Sequence, residues 1–183
     1  MVSVSKKIKA KIKYWSRVVE NRRLCKWFPF LIPWNRWSGN LITECQKGKR
    51  GYWPGNPDEI PEYDYSYTEL DAMPTGWRKA FGMRMCVELR DALIEDGYLN
   101  EWRIVQMKEK YGMLRVYSGG DPKGSRVPDI ISKYEEMSKH TCIICGNPAT
   151  KITMGWISPY CDRCCPDERA VSIEEYYSTE VYE

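Results

Sequence analysis

Four cysteines in two short pairs carry the clearest chemical signal in this chain. Cys142-Ile-Ile-Cys145 is followed, after fifteen residues, by Cys161-Asp-Arg-Cys164. Two thiolates separated by two residues reach one ion from a single turn, and the span between the pairs suffices for a short hairpin that returns the second pair. Gly146, directly after Cys145, supplies the left-handed backbone such a turn uses. The pattern predicts one structural zinc ion held by Cys142, Cys145, Cys161 and Cys164, with sulfur filling all four positions and none left for a catalytic water. Binding free energy at such a site is folding free energy. Cys165 competes with Cys164, and His140 could replace a thiolate, but each spoils the symmetric spacing.

His140 is the only histidine, so a serine or cysteine nucleophile would have to take its imidazole base from beside the cysteine pairs. The glycine-rich stretch Ser118-Gly-Gly-Asp-Pro-Lys-Gly124 lacks the spacing of a phosphate loop and reads as a connection. With Lys108, Lys110 and Arg115, its Lys123 forms a possible phosphate set for a nucleotide or second messenger. Carboxylate pairs such as Glu69 with Asp71, or Glu135 with Glu136, read as solvated faces. The expectation is a protein without catalytic machinery.

The elements that must position the cysteines are legible in part. Thr75 is placed to cap a helix running to about Asp96, with Trp77, Phe81, Met85, Leu89 and Leu93 at every fourth residue and Gly97 as its stop. Trp102 to Lys108 and Met113 to Tyr117 read as strands joined by a turn at Tyr111-Gly112. After Pro128 a second helix turns Ile130, Ile131, Tyr134 and Met137 inward. The predicted fold class is α+β: a helix, β-hairpin, helix core over 74–140 with a four-cysteine zinc knuckle over 141–165.

Upstream, residues 1–26 predict a basic amphipathic helix. Val4, Ile8, Ile12, Trp15 and Val19 recur at helical spacing among Lys6, Lys7, Lys9, Lys11, Lys13 and Arg17. That stripe requires a partner, which the sequence leaves open among the protein's own body, another subunit and a membrane surface. Residues 27–73 are rich in proline, glycine and aromatics and predict mostly irregular wrapping chain. Within them the alternation Tyr63, Tyr65, Tyr67 suggests one short strand. Residues 166–183 form an acidic tail, either disordered or lying as a strap on the basic segment.

Charge is segregated along the chain. Up to Arg50 there are thirteen lysines and arginines against Glu20 and Glu44, whereas the remainder carries 15 basic and 23 acidic residues. This leaves two readings of the N-terminal part, a nucleic-acid or acidic-partner contact and docking on the chain's own acidic body. The nucleic-acid reading uses Lys6, Lys9, Lys13, Arg17 and Arg36 as phosphate contacts and Trp34, Trp37 and Trp53 as stacking platforms, the same residues offering a protein partner its surface. No stretch is long enough to span a bilayer, no secretion signal opens the chain, and the paired cysteines point to a reducing, intracellular setting.

The run Lys108-Glu-Lys-Tyr-Gly-Met-Leu-Arg115, the Gly76-Trp77 helix start, Cys142-Ile-Ile-Cys-Gly-Asn-Pro148, Gly155-Trp156 and Cys161 together resemble a family of small bacteriophage, prophage and bacterial proteins. The resemblance covers roughly residues 74–164. It implies a phage setting and the cytoplasm of a bacterial host, and names no reaction. The resulting expectation is a non-catalytic, zinc-stabilised binding protein that engages a host protein such as a nuclease or defence effector, with a nucleic-acid binder and a nucleotide binder as alternatives.

Overall fold

The computed structural model describes residues 2–33 and 65–179 of the chain. Trp34, Arg36, Trp37 and Trp53, together with Tyr63, Lys47, Lys49 and Arg50, lie outside the described residues. The architecture is the expected α+β class. A long helix α1 (Val2–Trp27) leads into a 3-10 turn at Pro29–Leu31, and a second 3-10 turn (Glu69–Ala72) precedes α2 (Thr75–Trp77). This short helix continues through a π-helical segment, Arg78–Gly82, into α3 (Met83–Glu95). The hairpin β1 (Ile104–Lys110) and β2 (Met113–Ser118) follows, then α4 (Val127–Lys139), β3 (Lys151–Thr153), β4 (Ser158–Tyr160), β5 (Val171–Ser172) and α5 (Ile173–Thr179).

The helix predicted from Thr75 to Asp96 is present with an unexpected interior. Thr75 is its first residue rather than its cap; Pro74 precedes it and no side chain caps the end. Trp77, Phe81, Met85, Leu89 and Leu93 are all buried. An apolar residue every fourth position slides by about 40° per step around an α-helix of ~3.6 residues per turn. The π-helical turn takes more residues per turn, which swings the stripe back towards one face. Gly97 (φ +74°) ends the helix, and the Tyr98 amide bonds back to the Leu93 carbonyl at 2.9 Å.

β1 and β2 pair antiparallel around Tyr111 and Gly112, both left-handed at φ +52° and +78°, the pair of conformations a two-residue hairpin turn needs. The first strand begins two residues later than the sequence suggests. Trp102 stays outside it as a buried ring whose indole donates to the Asp121 carboxylate at 2.7 Å. A two-stranded sheet leaves amides exposed on both edges, and this one satisfies them with side chains. On the β1 edge the Met107 amide donates to the Glu69 carboxylate at 3.3 Å. On the β2 edge the Val116 amide donates to Glu135 at 2.9 Å and the Leu114 amide to the Ser138 hydroxyl at 2.7 Å. Glu69, Glu135 and Ser138 thus take the place of neighbouring strands, and α4 packs along β2.

Asp71 anchors α1 to this core. Its carboxylate accepts from the Thr68 amide and hydroxyl, from the Asn21 side chain at 3.3 Å, and from Arg78 in a very short ion pair. Asn21 also donates to the Tyr65 carbonyl at 3.0 Å. Tyr65 sits at φ +57°, off any strand conformation, so the strand expected through the tyrosines does not form at Tyr65 and Tyr67. The buried residues of α1 are Val18, Asn21 and Cys25, and Leu24 packs half-buried beside them against the core. The predicted apolar stripe lies roughly a third of a turn away. Ile8, Ile12, Trp15 and Val19 remain 53%, 61%, 55% and 52% exposed, so docking on the chain's own body is not what this stripe does.

The acidic tail is corrected as well. Its start forms β5, which pairs with β3, and α5, whose Ile173 is buried and whose Tyr177 meets the His140 ring. An alternation too short to read as a strand gains its order from a sheet that is already present. Among the described residues this segment packs on the cysteine module and not on α1; residues 180–183 lie outside them.

Replacing Ser138 by alanine removes the acceptor of a fully buried strand amide. We expect a loss of about 1–3 kcal/mol in unfolding free energy, measured by denaturant titration of the metal-loaded protein. An unchanged midpoint would show that the β2 edge is satisfied some other way.

Candidate metal centre

The four predicted cysteines converge. The sulfur atoms of Cys142, Cys145, Cys161 and Cys164 all lie within 4.8 Å of one another, and Cys145 and Cys161 stand 3.6 Å apart. A tetrahedral ion with metal–sulfur bonds of ~2.3 Å requires sulfurs spaced by ~3.8 Å. A disulfide requires ~2.05 Å. The described cysteines are all free thiols, and the cluster has the dimensions of a four-sulfur metal site.

Each half of the cluster is built locally. The Cys142 amide donates to the Asn147 carbonyl at 2.8 Å, and the Gly146 amide returns to the Cys142 carbonyl at 3.0 Å, with Gly146 at φ +83° as expected. In the second half the Cys164 and Cys165 amides both donate to the Cys161 carbonyl at 3.0 Å. The fifteen-residue span forms the predicted hairpin, Lys151 opposite Tyr160 and Thr153 opposite Ser158. A bond from the Ile143 amide to the Pro159 carbonyl at 3.0 Å ties the first half to that hairpin.

The competing ligands are placed elsewhere. Cys165 sits outside the four-sulfur cluster, its thiol directed to the Asp167 carbonyl at 3.3 Å. His140 is exposed, pairs with Glu136 at 3.8 Å and stacks near Tyr177.

The site is fastened to the helical core by two adjacent residues. The Gly76 amide donates to the Ile143 carbonyl at 2.9 Å, and the Trp77 indole donates to the Thr141 carbonyl at 2.8 Å in the interior. A Cβ at Gly76 would lie 2.2 Å from the Cys142 carbonyl oxygen, and one at Gly146 would lie 2.6 Å from the Gly76 carbonyl oxygen. Two backbones therefore meet here without side chains between them. This is the contact that sequence reasoning missed; the visible signal was a Gly-Trp dipeptide at the start of a strongly apolar helix.

The electrostatics of the four-sulfur cluster are asymmetric. Burial acts to raise the Cys142 thiol, but the backbone amides of Cys145, Cys161 and Ile144 aimed at its sulfur outweigh that and bring it down to about 6. The Cys164 thiol is pushed up to about 12, first by its bond to Cys161, then by desolvation and its other sulfur neighbours. One sulfur is thus prepared as a thiolate, and a metal must displace protons from others. Away from the cluster, burial pushes Cys25 and Cys86 up to about 12, which leaves both as unreactive thiols at neutral pH.

The remaining sequence candidates are not gathered into a site. Lys108 and Lys110 share a hairpin face with Arg115, but Arg115 is bonded to Glu135 at 3.0 Å, and the two lysines lie over Tyr117 and Tyr111. Lys123 is exposed on the loop beyond the far end of the hairpin. The phosphate set read from the sequence is therefore not assembled, because a hairpin turn and its opposite loop lie a full strand length apart. Lys6, Lys9, Lys13 and Arg17 are exposed along α1. No protein-family model, no curated protein and no solved structure matches the chain.

Metal loading should weaken as the pH falls, and more steeply below about 6, where Cys142 takes up its own proton and one more must be displaced. A competition titration against a chelator across this range measures it; a pH-independent affinity would exclude the thiolates as ligands. Gly76→Ala forces two backbones apart, and we expect a loss of more than about 3 kcal/mol in stability together with weakened metal retention. Wild-type stability of this variant would overturn the close-contact assignment.

Proposed function

We propose that the protein is a non-catalytic binding protein, stapled by one structural zinc ion, phage-encoded and directed at a host protein such as a nuclease or defence effector. The observation that carries the binding reading is the surface formed where two hairpin tips abut. A Cβ at Gly112 would lie 3.0 Å from the Ile157 side chain, so the β1–β2 turn presses on the β3–β4 turn. On either side of that contact stand Tyr111, 74% exposed, and Trp156, 78% exposed, with Met154 more than half exposed beside them. Aromatic rings and methionine are the residue types enriched in protein interfaces and their energetic centres. Leaving them in water has no folding rationale, since the core closes without them.

Zinc is the ion best suited to four thiolates in tetrahedral array, with iron the other choice for such a set. Four sulfurs fill its coordination sphere, which supports a structural role. His140 is engaged by Glu136 and Tyr177 and stands outside the four-sulfur cluster, which supports a protein that acts by occupying a partner. The phage setting and the host target rest on the sequence resemblance. The nucleotide reading loses support from the engagement of Arg115 and the distance of Lys123.

Metal analysis should give one zinc per chain. Purified protein should capture a specific host protein from lysate, and the double substitution Tyr111→Ala with Trp156→Ala should abolish capture while zinc content stays unchanged. Capture that survives the double substitution would place the interface elsewhere, and iron in place of zinc would overturn the identity of the ion.

A further inference from the structure

The first two-thirds of α1 carry two unsatisfied faces at once. Ile8, Ile12, Trp15 and Val19 form a stripe at helical spacing that is more than half exposed throughout. Lys9 and Lys11 are exposed at its two edges and Lys6, Lys13 and Arg17 further round the helix, and no acidic residue occurs before Glu20. None of these five cations makes an ion pair with a described carboxylate. The chain's acidic α5 packs instead beside His140 and β3. The anchoring face, Val18, Asn21 and Cys25, lies about a third of a turn from the stripe, which the body leaves exposed.

We propose that α1 lies on an anionic lipid surface, with Ile8, Ile12, Trp15 and Val19 entering the boundary of the acyl chains and the flanking lysines meeting the headgroups. Charge complementarity selects this occupant. A nucleic acid would neutralise the cations but leave the apolar stripe in water. A second copy of the chain would cover the stripe but bring two cationic faces together. A bilayer with anionic headgroups satisfies both faces in one plane, and a tryptophan within the stripe suits the interface. Among the described residues no helix is long and apolar enough to cross a membrane, so the contact is a surface one. This inference is independent of the hairpin-tip surface.

The test is flotation of the full-length protein with vesicles of phosphatidylcholine alone and of phosphatidylcholine mixed with phosphatidylglycerol. Partition into the mixed vesicles alone is expected. Ile12→Glu should lower it by about tenfold or more, because it places a charge in the apolar stripe. Lys9→Gln should lower it by about fivefold, the share of one cation at an anionic surface. Both positions are exposed, and unchanged circular dichroism and metal content verify the fold. The proposal is overturned if neither vesicle binds, or if Ile12→Glu leaves binding intact. It is likewise overturned if light scattering shows a dimer that Ile12→Glu dissolves, or if the helix binds oligonucleotides but not vesicles.

Discussion

The architecture depends on one backbone-to-backbone contact, the seating of Gly76 and Trp77 on the chain segment Thr141 to Ile143. Trp77 is fully buried, and its indole satisfies a carbonyl of the segment that opens the metal site. Gly76 lets the carbonyl of Cys142 come closer than any side chain would permit. A helix near the middle of the chain and a cysteine pair near its end are thereby held as one unit. The cost of closing so long a loop is offset by packing on the helix side, and an ion at the four sulfurs would add ligation on the other. Small metal modules have little core of their own. This one borrows the aromatic core of α2, α3 and α4.

The same logic governs the hairpin. Two strands alone are marginal in water, because one face and two edges remain unsatisfied. Here Leu114 and Val116 turn their side chains into the core, while Glu69, Glu135 and Ser138 close the edges. Carboxylates that read in sequence as solvated faces are thus acceptors for strand amides. Glu69 is itself buried, and Glu135 divides its two oxygens between the Val116 amide and the Arg115 guanidinium. No periodicity announces such a role, because it follows from tertiary proximity and not from the residues adjacent in sequence.

What could be read from sequence follows the same division. The cysteine spacing, the every-fourth-residue stripe from Trp77 to Leu93 and the Tyr111-Gly112 turn are local signals, and local chemistry realises each of them. The failures are positions where a distant partner decides. Tyr65 leaves the strand region at φ +57°, with its carbonyl accepting from the distant Asn21, and the residues at 171–172 become a strand because β3 offers an edge. The stripe on α1 was legible as amphipathic, but the face that docks is a different one, set by Asn21 reaching Asp71. Lys108, Lys110, Arg115 and Lys123 suggested a phosphate set only because sequence proximity conceals that a hairpin separates its turn from its ends.

Metal site and exposed surface are mechanically continuous. β3 and β4 link the two halves of the cysteine cluster, and their connecting turn carries Met154, Trp156 and Ile157. Ile157 in turn supports the Gly112 turn and hence the orientation of Tyr111. A hairpin with three paired residues on each strand has little stability of its own, and here β5 on the free edge of β3 and the Ile143 amide on the Pro159 carbonyl support it, with the cysteines at its base. An ion held by the four sulfurs would brace the β3–β4 hairpin from its base, and through the contact of Ile157 with the Gly112 turn it would bear on the spacing of Trp156 and Tyr111, two exposed rings on neighbouring turns.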